Sequence, residues 1–408
     1  MIPISKAINI IKRETKSIDS EVVRISACVG RILAENIVAD TDMPPFDRSQ
    51  MDGFAVKAKD TANAPVRLKI AGESAAGKGW HNKLRAGEAV RIMTGASVPL
   101  GADSIQKVEL TNESNGTVTI NEPTDVTKYI VKKGAEIKKG ERLFRTGERI
   151  NEKMIASLAA FGYSSVKVYE KPSVSILGTG SEIVPIDKQP GRDQIRNSNS
   201  VMLKVLCEQA GARASVVPLT GDDLEKLKST ISRAVGLDRR KSKIQNPNSK
   251  FLVITGGVSV GKYDLTKAAL RDLGAEIFFE KVRLRPGKPA VFAKLNGTLI
   301  FALPGNPVSA AVTFYLFVRP AIQKMQNASN TDLHQGVAVL TSTAKAAKER
   351  DTYLPATLET DKNGRLLVTP LRWHGSSDFV GFAKADALIF IARGEIIESE
   401  NVCQIVYL

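Results

Sequence analysis

Residues 251 to 264 read Phe-Leu-Val-Ile-Thr-Gly-Gly-Val-Ser-Val-Gly-Lys-Tyr-Asp. Four apolar residues run without a break into a glycine-rich turn, which is how α/β proteins bring strand-end backbone N–H groups up to a phosphate. The stretch from Gly256 to Lys262 fills the first seven positions of a P-loop, G-x-x-x-x-G-K. The eighth position fails, because Tyr263 stands where a Ser or Thr would meet magnesium. Asp264 follows, a carboxylate placed to hold a cation beside the bound anion. The segment reads as a phosphate-binding turn and not as an NTPase motif.

The flanking sequence alternates strand and helix. Residues 174–177, 215–218, 251–254 and 298–302 read as strands, and 200–209, 224–235, 265–273 and 308–318 as helices. Such alternation predicts a doubly wound parallel sheet with a ligand crevice at the carboxyl ends of its strands. Two more turns leave strand ends there. Gly178-Thr179-Gly180-Ser181-Glu182 ends in a carboxylate, and Leu303-Pro304-Gly305-Asn306-Pro307-Val308-Ser309 starts a helix. In the latter Asn306 can cap, Pro307 suits the first turn, and free N–H groups with Ser309 make an anion site. Asp222 and Asp223 precede the helix at 224, either as its N-cap or as a cation ligand. Lys281, Arg283 and Arg285 alternate, which puts three cations on one face of a strand, and Lys288 follows a Pro-Gly turn. These read as an oxyanion site.

Outside this unit the pattern changes. Ile4, Ala7, Ile8 and Ile11 have helical spacing, and residues 22–37 continue as mixed helical sequence. Met43-Pro44-Pro45-Phe46-Asp47 breaks any helix. From there to about residue 145, short alternating runs between Gly, Pro and Asn clusters predict a small all-β lobe. Residues 151–161 read as a helix, and a polar link at 327–331 leads into a β-rich tail.

Composition narrows the function classes. The chain has 408 residues, 43% hydrophobic and 25% charged, enough for two to four domains with real cores. Three distant cysteines and three histidines give neither a disulfide framework nor a zinc site. A metal would be a hard cation on carboxylates. No run approaches eighteen apolar residues, so the expectation is a cytoplasmic soluble protein with no membrane contact. The net charge of +15 raises a nucleic-acid reading. Its densest stretch, Asp238-Arg239-Arg240-Lys241-Ser242-Lys243, has no aromatic residue to stack on bases and reads as a solvated loop. A diffuse positive field suits a small polyanionic substrate, and no nucleic-acid partner is expected.

Taken together, the motifs resemble one family. Pro44-Pro45-Phe46-Asp47-Arg48-Ser49-Gln50-Met51-Asp52-Gly53-Phe54-Ala55-Val56, Met93-Thr94-Gly95-Ala96, GTGSE at 178–182, NSN at 197–199, TGGVSVGKYD at 255–264, RPGKP at 285–289 and LPGNPVS at 303–309 occur in order along nearly the whole chain. The chain resembles the molybdopterin molybdotransferases, the MoeA family that includes the E domain of gephyrin. The resemblance implies an α/β multidomain fold. Its parts would be a central doubly wound MogA-like α/β domain at 169–328, a β-rich lobe at 44–137, an N-terminal helical/linker domain at 1–43 with 138–168, and a C-terminal β-barrel-like domain at 329–408. It also implies a homodimer with its active site between subunits. The implied reaction inserts molybdate into adenylylated molybdopterin, releases AMP, and leaves the molybdenum cofactor.

Roles carried over by the resemblance fall on residues of this chain. Glu182, Asp222 and Asp264 would surround the nucleotide phosphates and Mg²⁺. Lys281, Arg285 and Lys288 would receive molybdate and the pterin phosphate. Asp52 and Thr94 would reach in from the β lobe of the other subunit, and Ser376 would stand near the same cleft. Gly178, Thr179, Gly180, Ser181, Asn199, Gly256, Gly257, Ser259, Gly261, Pro304, Gly305, Asn306 and Ser309 complete the substrate-binding set. Transient contacts with the molybdopterin adenylyltransferase and with apo-molybdoenzymes are also implied.

One segment departs from the family. Its members carry an asparagine-hydrophobic-arginine stretch before Gly-Glu-Asp-Ile, where this chain has Tyr129-Ile130-Val131-Lys132-Lys133-Gly134-Ala135-Glu136-Ile137. Val131 takes the place of the arginine and Glu136 that of the aspartate. Lys132 or Lys133 could restore the charge but not a bidentate contact. This edge of the site is therefore expected to be rebuilt, with reduced activity or a preference for another oxyanion such as tungstate as the consequences. Two rivals remain: an adenylyltransferase, which would not need the flanking lobes, and a non-catalytic molybdopterin-binding scaffold.

Overall fold

A computed structural model describes residues 1–238, 249–257, 265–372 and 375–408. Ser259, Gly261, Asp264 and the basic stretch from Arg239 onward lie outside the described residues. The chain divides into two compact units, one of Met1–Ala34, Gly147–Asn151 and Val166–Leu408, the other of Glu35–Thr146 and Glu152–Ser165.

The larger unit is built on a six-stranded sheet. Its order is Arg213–Val216, Ser173–Gly178, Phe251–Thr255, Thr298–Leu303, Val291–Leu295 and Glu276–Phe279. The first four strands are mutually parallel, and Val291–Leu295 runs antiparallel to both of its neighbours, Thr298–Leu303 and Glu276–Phe279. Side chains alternate strictly between two cores, as a period of two requires. Val174, Ile176, Phe251, Val253, Leu299 and Phe301 face one core, together with Ile4 and Ile11 of helix α1 (Ile4–Glu14). Leu177, Leu252, Ile254, Ile300 and Ala302 face the other. Burial on both faces explains why Phe251–Ile254 and Leu299–Leu303 read as continuous apolar runs in the sequence.

Following α2 (Glu152–Ala160) of the smaller unit, helix α3 (Ser198–Gln209) packs on the α1 side through Leu203 and Cys207. Helices α4 (Leu224–Ala234) and α5 (Leu265–Asp272) cover the other side through Leu227, Ile231, Ala269 and Leu270. From Ser173–Gly178 the chain crosses to the edge at Arg213–Val216, then returns past it to Phe251–Thr255. The direction of winding therefore reverses between Gly178 and Thr255, which are register partners. In open α/β sheets ligands bind at the carboxyl ends beside this reversal.

Three expectations need correction here. Residues 22–37 are not helical: Ser20–Arg24 is a strand paired with Ser165–Tyr169, followed by a short 3₁₀ turn at Ile25–Ala27. The strand expected at 215–218 lies at Arg213–Val216, stopping short of Pro218, which has no N–H to give a ladder. The helix expected to close at Val318 continues. After α6 (Pro307–Thr313), a π-helical turn at Phe314–Val318 leads into α7 (Arg319–Met325), with Pro320 in its first turn. The wider turn absorbs the donor that proline lacks.

Beyond α7 the chain closes a five-stranded barrel. Asp351–Thr360, Leu366–Pro370, Gln335–Leu340, Val402–Tyr407 and Ala387–Ile391 pair in that order, and Ala387–Ile391 pairs back onto Asp351–Thr360. Closure leaves no free edge within the ring. The smaller unit carries a six-stranded sheet ordered Ser104–Lys107, Gly53–Val56, Glu88–Ile92, Val66–Ser74, Thr117–Ile120 and Thr111–Ser114. These are the short alternating runs of the predicted all-β lobe.

Candidate active site

Three strand-end turns meet at the winding reversal. Thr179 N–H donates to Thr255 O at 3.0 Å, and Gly256 N–H donates to Leu303 O at 3.3 Å, so the turns are laced by backbone bonds. Gly256 has φ +97°, and a Cβ there would run into the Thr179 carbonyl oxygen and lie 2.9 Å from Thr179 Oγ1. Gly305 faces the same strip, with a Cβ position 3.6 Å from Gly256 Cα. Gly256 thus lets its turn approach the Thr179 turn more closely than a side chain would permit, whereas Gly305 makes only an ordinary contact.

Buried polar atoms without partners cluster around this strip. Thr179 Oγ1, Asn199 Oδ1, Ser200 Oγ, Thr220 Oγ1 and Thr266 Oγ1 have none among the described residues. Buried polar atoms are nearly always satisfied, so such a cluster marks a place where a ligand or water completes the bonding. A cleft of about 640 Å³ opens beside it, lined by Leu219, Thr220, Gly221 and residues of α4 that include Lys226 and Arg233. That is a ligand-sized volume.

Two carboxylates meet at the first turn, Glu182 on it and Asp222 reaching it from the residues before α4. Asp222 Oδ2 accepts from Ser181 Oγ at 2.7 Å and from Ser181 N–H at 3.4 Å. Glu182 folds back over Gly180, its Oε2 lying 2.6 Å from where a Cβ of Gly180 would be. The two alternatives for Asp222 and Asp223 divide between the residues. Asp223 is the N-cap of α4, accepting from Lys226 N–H at 3.0 Å. Asp222 is left facing the turn. Among the described residues no group of three His, Cys, Asp or Glu forms a metal cage; Asp264, the third member of the expected set, is not among them.

The third turn differs from its sequence reading. Asn306 occupies the N-cap position of α6 but makes no side-chain cap bond. Its Nδ2 donates to Ser376 Oγ at 2.7 Å, and Val308 N–H donates to Ser376 O at 3.1 Å. Ser376 thereby takes one N–H counted as free for an anion, while Ser309 is buried one position further along. The serine therefore sits directly on the Asn306 turn.

The basic segment keeps its alternation although only Leu284–Arg285 is formally a strand. Val282 and Leu284 are fully buried, while Lys281 is partly exposed and Arg285 and Lys288 are exposed. The backbone is fixed by Ile2 N–H to Lys281 O (3.0 Å), Arg283 N–H to Ile2 O (2.8 Å) and Val282 N–H to Lys288 O (3.0 Å). A Cβ on Gly287 (φ +112°) would meet Thr313 Cγ2 at 2.6 Å.

In the smaller unit Asp52 and Thr94 are partners. Asp52 Oδ1 accepts from Thr94 N–H at 2.6 Å and from Thr94 Oγ1 at 2.8 Å. These bonds, the backbone one first, hold the Asp52 carboxyl below the usual carboxylate range. Gly53 must be glycine, since a Cβ there would collide with the Gln106 carbonyl oxygen and lie 2.9 Å from Lys107 Cα. The D-G pair therefore projects a carboxylate held ionised from the end of a buried strand. Asp52→Asn is expected to lower turnover about 100-fold with unchanged melting temperature, checked by steady-state kinetics and thermal unfolding.

The departing segment is internally committed. Ile130 and Val131 pair with Ser49 and Arg48. Glu136 holds Arg48 at 3.1 Å, Lys132 holds Asp47 at 2.8 Å, and Lys133 holds Asp42 at 3.4 Å. Neither lysine is a free replacement for the absent arginine. Burial opposes ionisation of Asp47, but Lys132 and the Lys133 N–H outweigh it, so its carboxyl lies below its ordinary value. The Lys139 N–H, with Lys133, does the same for Asp42. With folded values depressed, their stabilisation is complete above the unfolded value of about 3.9 and is lost as pH falls through the folded values. Thermal unfolding at pH 7 and pH 3 should show a smaller drop for Asp47→Asn than for the unaltered chain.

Several features escaped the sequence reading. Thr220, Ser200 and Thr266 were unremarkable there, and Thr255 stood only as the first residue of a motif, since a hydroxyl's value depends on burial and partners that no local pattern encodes.

Comparison with known proteins matches the whole length. Residues 2–162 fit the model of the MoeA N-terminal region (domain I and II), residues 175–324 the probable molybdopterin binding domain, and residues 337–406 the MoeA C-terminal region (domain IV). The molybdopterin molybdenumtransferase of Bacillus subtilis is 36% identical over 401 residues, covering 96% of this chain and 90% of that protein. The same-named protein of Staphylococcus epidermidis is 32% identical over 397 residues, covering 96% and 92%. Among solved structures, a molybdopterin biosynthesis MoeA protein of Pyrococcus horikoshii superposes with a TM-score of 0.81 at 32% identity, covering 100% of this chain and 99% of that one. With three family regions in order and a relative 36% identical across nearly its full length, this chain belongs to the MoeA family.

Proposed function

We propose that the chain is a molybdopterin molybdenumtransferase, inserting molybdate into adenylylated molybdopterin with release of AMP. The observation that carries the reading is the winding-reversal site itself. Unpartnered buried hydroxyls, close-packed glycine turns and two carboxylates stand together there. A phosphoanhydride needs such fixed donors and counter-charges, because phosphoryl chemistry is mainly positioning and charge stabilisation.

In this reading the turns at Gly178–Ser181, Gly256–Gly257 and Pro304–Asn306 surround the phosphates. The donors are the N–H groups of Gly257, Gly305 and Asn306 with the Thr179 hydroxyl, since the N–H groups of Thr179, Gly180, Ser181 and Gly256 are spent on bonds that fix the turns. Asn199 orders the turns from the start of α3. Lys281, Arg285 and Lys288 receive molybdate and the pterin phosphate as fixed positive donors. Glu182 on the first turn and Asp222, which reaches that turn from the residues before α4, are hard oxygen donors, the chemistry Mg²⁺ takes, and would hold it with Asp264. When bound, the ion supplies charge neutralisation at the phosphoanhydride. Ser376 and Ser309 support the Asn306 turn, and Asp52 with Thr94 contributes an ionised carboxylate to the same reaction.

A homodimer, a cytoplasmic location, and transient contacts with the adenylyltransferase and recipient apo-enzymes belong to the same proposal. No helix among the described residues is long and apolar enough to cross a membrane. Activity at the departing segment is a separate test. Val131→Arg combined with Glu136→Asp is expected to raise kcat/KM with molybdate about tenfold, the worth of one bidentate charge contact. Parallel assays with molybdate and tungstate check it, and no gain with either oxyanion refutes the idea that the departure weakens the site.

A further inference from the structure

We propose that Thr255 is a positioning residue of this site, a hydroxyl pin that locks the Gly256 turn to the Pro304–Gly305 turn. The inference rests on the functional reading above only for its kinetic arm.

The side chain of Thr255 is 2% exposed and stands at the last position of the central strand. Its Oγ1 accepts from Asn199 Nδ2 at 2.9 Å and donates to Pro304 O at 3.2 Å. The same Asn199 Nδ2 donates to Gly305 O at 2.6 Å. Gly305 O can only accept, which fixes the amide orientation, makes Nδ2 the donor to Thr255, and leaves the Thr255 proton for Pro304 O. The bonds therefore form one directed chain, from α3 through the end of one strand to the turn after the next.

The cost borne by this arrangement supports the assignment. Asn199 spends both amide protons on the pin, while its own Oδ1 has no donor among the described residues. Apart from Gly256 N–H to Leu303 O at 3.3 Å, no other bond among the described residues ties the two turns together. Without the hydroxyl, Pro304 O loses its side-chain donor, and Gly305 is held only through Asn199. Both turns carry the backbone groups that face the ligand, so a shift of about an ångström there is enough to lose positioning.

The test compares Thr255→Val, which keeps the shape and loses the hydroxyl, with Thr255→Ser, which keeps the hydroxyl. Hydrogen–deuterium exchange is read in peptides spanning 251–257 and 303–308, and kcat and KM are measured for molybdate-dependent AMP release. The valine variant should exchange at least about tenfold faster in 303–308, although the substitution lies some fifty residues away, and should lose about tenfold in kcat with a smaller change in KM. The serine variant should restore both. Unchanged exchange at 303–308 in Thr255→Val, or a serine variant as defective as the valine, overturns the pin. If the unaltered chain shows no transferase turnover, the functional reading fails while the exchange comparison still decides the pin.

Discussion

Lys288→Met is expected to lower kcat/KM for molybdate-dependent turnover by about 10²–10³-fold, the loss typical of one preorganised donor at a developing charge. Lys281, Arg285 and Lys288 have no carboxylate partner in the ion pairs among the described residues. Val282 and Leu284 are buried between them, so the alternation turns the cations away from the core. Their backbone is held by bonds to Ile2 and by Val282 N–H to Lys288 O, which leaves little freedom to move a replacement side chain into place. An exposed, unpaired lysine contributes little to folding, so the melting temperature should stay within a degree or two of the parent. Arg285→Lys is the companion test. It keeps the charge and loses the planar fork, and a loss of about tenfold separates geometric recognition from simple charge. Full activity in Lys288→Met would remove the oxyanion role from this segment.

The second large effect is structural. Gly256→Ala should destabilise the larger unit by about 3 kcal/mol or more, combining a left-handed backbone with a collision against a fixed carbonyl. The Cβ would meet the carbonyl oxygen of Thr179, a residue whose N–H donates to Thr255 O, so neither side can yield cheaply. Gly305→Ala is the internal control. Its Cβ would lie 3.6 Å from Gly256 Cα, an ordinary contact, and its φ is not left-handed. Chemical denaturation of both variants should show a large shift for the first and a small one for the second. Equal shifts would mean that close approach of the turns is not what glycine provides at 256.

Much of this architecture could be read before any coordinates. The strands at 173–178, 251–255 and 298–303 are buried on both faces, so 251–254 and 299–303 appear in the sequence as unbroken apolar runs and only Ser175 interrupts 174–177. Their exits into Gly-Thr-Gly, Gly-Gly and Pro-Gly-Asn turns marked the crevice for the same reason. What stayed hidden depended on distant partners. Ser20–Arg24 became a strand through pairing with residues near 167, while Val22 stands exposed and gives no periodic signal. Barrel closure rests on Ala387–Ile391 returning to Asp351–Thr360, a pairing that alternation within either strand does not announce. The helix expected to end at 318 runs on past Pro320, because the π turn before it accommodates the missing donor.

The site itself was legible in its glycines and charges but not in its hydroxyls. Asp222 and Asp223 are equivalent in sequence, and only the cap geometry at Lys226 N–H assigns one to the helix and the other to the turn. Asn306 had the right neighbours for a cap, but Ser376, seventy residues on, claims its amide. Lys132 and Lys133 looked like substitutes for an absent arginine until Asp47 and Asp42 were found opposite them.

The most direct test of the account is a coupled turnover measurement. Purified chain, adenylylated molybdopterin, Mg²⁺ and molybdate are combined, and AMP release and mature molybdenum cofactor are followed together. The account predicts AMP release that depends on the oxyanion, matched in amount by cofactor formed. Binding of adenylylated molybdopterin without any oxyanion-dependent AMP or cofactor would contradict it, and would leave the winding-reversal site a binding module.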